Sequence, residues 1–106
     1  MVEATKQNVI YSVPPILNFS IQRFRSGKRN DAVVGFPIKG LDMSKYLKND
    51  YIKYKEGELI YDLYGIVNQS GTLSFGHYTS YCLNEPSQKW YHFNDSTVSE
   101  LEPDLL

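Results

Sequence analysis

Cysteine is nearly absent from this chain: Cys82 stands alone among 106 residues. A single thiol excludes an internal disulfide and a zinc site built from four cysteines. No apolar run approaches the roughly 18 residues of a membrane-spanning helix. Met1 is not followed by a basic and then apolar stretch, so neither a membrane partner nor a secretory leader is expected. Low-complexity tracts, internal repeats and Gly/Ser-rich linkers are also missing. Nothing calls for a metal or cofactor, and none is expected. Cysteine usage of this kind favours a cytoplasmic and/or nuclear setting.

Positive charge is scarce in one half only. Residues 56–106 hold one cation, Lys89, against eight acids, a balance of −7, whereas residues 1–55 carry +6. The whole chain is therefore close to neutral, at −1. The basic residues are interrupted and the total is not basic, so nucleic acid is not an expected partner. A cleft in the second half would sit in a negative field and favour a cationic ligand.

Aromatic residues are plentiful: nine Tyr, five Phe and one Trp rule out a solvated coil for most of the chain. The length suits one domain at most. From Leu17 to Arg23, apolar Leu17, Phe19 and Ile21 alternate with Asn18, Ser20 and Gln22, the period of a half-buried strand. Residues 26–31 form a polar turn, Val33-Val34 reads as a return strand, and residues 41–47 as a weak helix. Leu59 to Val67 is almost continuously apolar, as in a strand covered on both faces. Asn68 to Gly71 opens a loop that continues to Gly76. Tyr78–Leu83 and Lys89–Phe93 then form an antiparallel hairpin about residues 84–88. Tyr61, Tyr64, Tyr81, Trp90 and Phe93 are the expected core.

The groups with chemistry to offer are Cys82, His77 and His92. A local dyad of His77 and Cys82 fails on geometry, because five residues along a strand put the two side chains on opposite faces. The hairpin offers another partner. A turn centred between Glu85 and Pro86 sets Asn94 or Asp95 beside His77. Either side chain can accept the Nδ1 proton of the imidazole and leave Nε2 to take a proton from a nucleophile. Gly76, directly before the histidine, permits close approach of a ligand backbone.

The run Gly76-His77-Tyr78-Thr79-Ser80-Tyr81-Cys82, followed by Trp90-Tyr91-His92-Phe93-Asn94-Asp95-Ser96 and Val98, resembles the histidine box of ubiquitin-specific proteases. Earlier blocks agree in order: Val13-Pro14-Pro15-Ile16-Leu17, Gln22-Arg23-Phe24, Phe36-Pro37 with Leu41-Asp42-Met43-Ser44-Lys45-Tyr46-Leu47, and Tyr61 to Asn68. The resemblance covers roughly residues 9 to 99. It implies an α+β, mostly antiparallel β fold: part of a papain-like cysteine protease, its palm, without the thumb and the last strand. It also implies a cysteine isopeptidase that cuts after the C-terminal glycine of ubiquitin, with ubiquitin or ubiquitinated proteins as partners.

On that resemblance His77 matches the general base, Asn94 its orienting residue, and Asp95 a second acidic position that assists. Phe75, Gly76 and Tyr78 fall where the family holds the narrow ubiquitin tail, under a mobile loop at residues 70–75. The family's cysteine box, a Gly-Asn-Thr-Cys pattern, and its Cys-x-x-Cys pairs do not occur in these residues. The nucleophile is then expected from the N-terminal part of the catalytic domain, and the chain alone is expected to be inactive. The competing reading is a non-catalytic module that binds ubiquitin or scaffolds a complex.

Overall fold

The computed structural model describes residues 3–47, 52–72 and 74–106. Two compact units are distinguishable: residues 1–20 with 37–62, and residues 21–36 with 63–106.

The second unit is built on a four-stranded antiparallel sheet. Its strands β5 (Gly65–Gly71), β6 (Gly76–Asn84), β7 (Lys89–Asn94) and β8 (Thr97–Leu101) lie in chain order. A strand pair closes the same unit's earlier segment, β1 (Phe24–Arg25) with β2 (Lys28–Arg29). The first unit carries β3 (Leu41–Asp42) paired with β4 (Ile60–Tyr61), and a one-turn 3-10 helix at Ser44–Tyr46. A second 3-10 turn, Pro103–Leu105, follows β8.

Each turn of the sheet has a local cause. Between β6 and β7, Gln88 takes a left-handed φ of 55° and its side chain donates to the Glu85 carbonyl at 2.7 Å. Between β7 and β8 the loop is two residues long, and Asp95 supplies the positive φ of 51°. Aspartate tolerates that region better than branched residues do. The strands themselves are rich in Tyr, Thr, Val, Ile and Phe, which suit a pleated surface.

Register assigns the faces. Tyr81 pairs with Ile66 and His92, and Leu83 with Trp90, which pairs in turn with Leu101. This face holds Trp90, only 3% exposed, and the Tyr81–His92 ring contact at 4.9 Å. His92 is thereby a packing residue. The opposite face presents Val67, Tyr78, Phe93 and Val98, all exposed.

Several sequence expectations differ from this structure. Residues 17–23 form no strand, and Phe19 and Ile21 are exposed. The return strand is Lys28–Arg29 rather than Val33-Val34, because Ser26 and Gly27 both adopt positive φ and close the turn after two residues. Val33 is 97% exposed. The run 59–67 is not one covered strand: it divides into β4 and β5, and Ile60, Tyr64 and Val67 are exposed. Residues 68–71 are strand, not loop, each paired across to residues 76–79. Of the expected core, Trp90 is buried, Tyr61 and Tyr81 are half-buried, and Tyr64 and Phe93 are exposed. Met43, 3% exposed, takes the buried position in the first unit instead. Its neighbours Leu41 and Asp42 form a strand where a helix was expected.

Candidate active site

His77 stands on β6, one residue into the strand, on the same face as Thr79 and Tyr81. Thr79 is half-buried, and the neighbouring pair Ser80↔Phe93 sets the register of β7. That register centres the β6–β7 turn between Pro86 and Ser87, two residues of pairing away from the expected one. His77 and Asn94 are consequently diagonal neighbours rather than directly opposed. A shift of two preserves the face, whereas a shift of one would have separated the pair. Long side chains reach across such a diagonal.

The contact is short: His77 Nε2 lies 2.7 Å from Asn94 Oδ1. A carbonyl oxygen can only accept, so Nε2 is the protonated nitrogen and donates. The expectation that Nδ1 would face the orienting group is thus reversed. Nδ1 then carries the lone pair and has no hydrogen-bond partner among the described residues. The arrangement can accept a proton at Nδ1 and return it there.

Asp95 occupies the turn immediately after Asn94. No hydrogen bond or ion pair joins it to His77 among the described residues. Cys82 lies on the other face of the unbroken strand, where its thiol makes a weak contact to Ser80 Oγ at 3.9 Å. No thiol is brought to the imidazole among the described residues. Gly76 and Tyr78 flank His77 in the chain and, by the same alternation, face away from it. Tyr78 is 66% exposed and Phe75 is 86% exposed.

The end of the β5–β6 hairpin is tightly closed. Thr72 N–H donates to the Phe75 carbonyl at 2.9 Å, and Phe75 N–H donates to the Thr72 hydroxyl at 3.0 Å. Gly71 has φ +98°, and a side chain there would run into the Phe75 carbonyl, so the position admits only glycine. Two residues that sequence reasoning placed in a loop matter here. Ser70 pairs directly with His77, and Gln69 with Tyr78. No alternation of apolar and polar residues marks this stretch, because Asn68, Gln69 and Ser70 are all polar and are followed by glycine. Asn68, on the imidazole's face in the row of Thr79, keeps a buried amide nitrogen without a partner among the described residues.

The model of the ubiquitin carboxyl-terminal hydrolase family matches residues 3–105. The chain belongs to this family. It is 43% identical to ubiquitin carboxyl-terminal hydrolase 12 of Saccharomyces cerevisiae over 96% of the chain, and 38% identical to ubiquitin carboxyl-terminal hydrolase 4 of Pongo abelii over 98%. It spans 8% and 11% of those two relatives' lengths. Among solved structures, a chain of the Ubp8–Sgf11–Sgf73–Sus1 SAGA DUB module superimposes with TM-score 0.64 at 30% identity, over 79% of this hydrolase-family chain and 19% of that one. A SAGA DUB module bound to monoubiquitin matches with TM-score 0.57 at 31% identity, over 73% and 16%. The fold is mostly antiparallel β and corresponds to part of a papain-like catalytic domain.

Proposed function

We propose that this chain is the C-terminal, histidine-bearing portion of a deubiquitinating cysteine protease, one that hydrolyses the isopeptide or peptide bond after the C-terminal glycine of ubiquitin. The observation that carries the reading is the 2.7 Å contact between His77 Nε2 and Asn94 Oδ1, on the two central strands of the sheet in a chain that matches this family.

In this reading His77 is the general base and Asn94 its orienting group. The Nε2–H···Oδ1 bond fixes the tautomer, so Nδ1 takes the proton of a cysteine thiol supplied by the N-terminal part of the catalytic domain. The thiolate attacks the glycine carbonyl, and Nδ1–H of the imidazolium returns the proton to the departing amine. Water, deprotonated by the same nitrogen, then hydrolyses the thioester. Asn94 is neutral and gives the imidazolium no compensating charge; Asp95, next to Asn94 in the chain, is the acidic group assigned that role. Phe75 and Tyr78 offer exposed aromatic surface to the ubiquitin tail, and Gly76 offers main chain. The arginines of that tail suit the acidic half of the chain. The partners are ubiquitin or ubiquitinated proteins, and the setting is cytoplasmic and/or nuclear.

The test is reaction of the chain with ubiquitin carrying a C-terminal thiol-reactive group, beside a Cys82→Ser variant. Neither is expected to form an adduct. An adduct lost in Cys82→Ser would overturn the reading and make Cys82 the nucleophile. The second reading is a non-catalytic ubiquitin-binding module. A cysteine box encoded upstream in the same gene supports the protease, and its absence supports the module.

A further inference from the structure

The glycine before the catalytic-type histidine invites a simple explanation, that it leaves room for a substrate. The structure gives that room to another residue. Gly76 pairs with Gly71 and Gln69 with Tyr78, which makes Gln69 and Gly76 diagonal neighbours on the face turned away from His77. A Cβ on Gly76 would collide with Nε2 of Gln69, and would lie only 3.1 Å from the Thr72 carbonyl and 3.2 Å from the Ser70 carbonyl. From that position Nε2 of Gln69 donates to the Thr72 carbonyl at 3.1 Å. Thr72 in turn closes the hairpin end through its main chain and hydroxyl, both bonded to Phe75. The strand is anchored at the same residue: Arg29 donates to the Gln69 carbonyl at 2.7 Å, and Asp31 holds Arg29 at 3.0 Å.

We propose that Gln69 is a positioning residue whose carboxamide, lodged in the space left by Gly76, holds Thr72 in its contacts with Phe75 and thereby fixes Phe75 and the main chain leading into His77. Gly76 leaves room for the Gln69 amide as well as for the Thr72 and Ser70 carbonyls. The functional consequence, a preordered tail-binding edge, rests on the reading of this hairpin as a ubiquitin-tail site. The latch itself does not.

The test uses the 15N-labelled chain as wild type, Gln69→Ala, Gly76→Ala and the double variant. It reads amide exchange at Phe75 and Thr72, and affinity for ubiquitin. Loss of one hydrogen bond, on the order of 1 kcal/mol, gives roughly a five- to tenfold rise in exchange at Phe75 for either single variant. The double variant is expected to match Gln69→Ala within about twofold, since the two changes remove one interaction. Gln69→Glu loses the donor at neutral pH. It is expected to recover most of the protection near pH 4, where a glutamic acid side chain regains a proton to donate.

Equal exchange at Phe75 in wild type and Gln69→Ala would overturn the latch. So would a Gly76→Ala penalty that persists undiminished in the Gln69→Ala background, because Gly76 would then serve something else. If wild type fails to bind ubiquitin while exchange behaves as expected, the tail-site reading falls and the latch stands. If wild type binds ubiquitin and Gln69→Ala binds equally well despite fast exchange at Phe75, the positioning role falls.

Discussion

Residues 63–106 and residues 37–62 satisfy their main-chain groups in different ways. In the first stretch four strands in chain order bond to their neighbours, so the strand residues are held by ladders. In the unit that contains the second stretch, paired strands extend over two residues only among the described residues, and isolated main-chain contacts such as Met43 N–H to the Leu59 carbonyl are supplemented by single side chains. Tyr54 accepts from Val13 N–H at 3.4 Å, Tyr61 donates to the Pro14 carbonyl, and Asp62 accepts from Gly40 N–H at 3.0 Å. A ladder distributes the cost of any one lost contact, and a set of point anchors does not. The candidate site sits on the ladder, where a 2.7 Å contact can be kept in one geometry.

The comparison predicts unequal responses to core truncation. Trp90→Ala removes the most buried large side chain of the sheet, between Leu83 and Leu101 in the pairing. A loss of about 3–5 kcal/mol is expected, seen as a lowered urea midpoint together with loss of amide protection throughout β5–β8. Loss confined to the residues next to Trp90 would show that the sheet is not one cooperative element.

Met43→Ala sharpens the contrast. Met43 is as buried as Trp90, and its N–H bonds to the Leu59 carbonyl at 2.9 Å. About 2 kcal/mol is expected, the low end for deleting a buried methionine side chain, if the short strands of this unit relax around it more readily than the sheet does. Exchange should accelerate at Met43 and Tyr46, whose amides are bonded within this unit. A cost equal to that of Trp90→Ala would break the comparison, since the irregular unit would then be packed as tightly as the sheet.

The same difference explains what the sequence made legible. The β6–β7 hairpin was readable because aromatic and β-branched runs flank a polar break, and parity along β6 placed Cys82 and His77 on opposite faces. The His77–Asn94 pairing was anticipated from a register wrong by two, which keeps every side chain on its face. The choice of ring nitrogen was not legible. Polar Asn68, Gln69 and Ser70 concealed the end of β5, because their pairing comes from main-chain bonds to β6 rather than from apolar burial. That concealment hid Gln69 as well. Earlier in the chain, alternation at Leu17–Arg23 predicted a strand that pairs with no neighbour among the described residues. Apolar periodicity reports what a segment can bury, and only a partner makes it a strand.

The smallest effect tests the point anchors directly. Asp42 accepts the Ser44 N–H at 2.9 Å, and this bond, with one from the Ser44 side chain, holds its pKa below the ordinary 3.8. A carboxyl group with a depressed folded-state pKa contributes stability that is fully present above its unfolded value. That contribution is lost as pH falls through the lower, folded value. Asp42→Asn keeps an oxygen for the Ser44 amide and removes only the charge. The variant should therefore unfold slightly more easily than wild type near neutral pH, and the gap should close as pH falls below about 4, the ordinary carboxyl value. The carboxylate is fully exposed, so salt should narrow the gap as well. Urea midpoints followed across that range decide it. A gap that stays constant with pH would mean that shape, not charge, sets this anchor, and that the irregular unit is held by the same kind of neutral contact as the sheet.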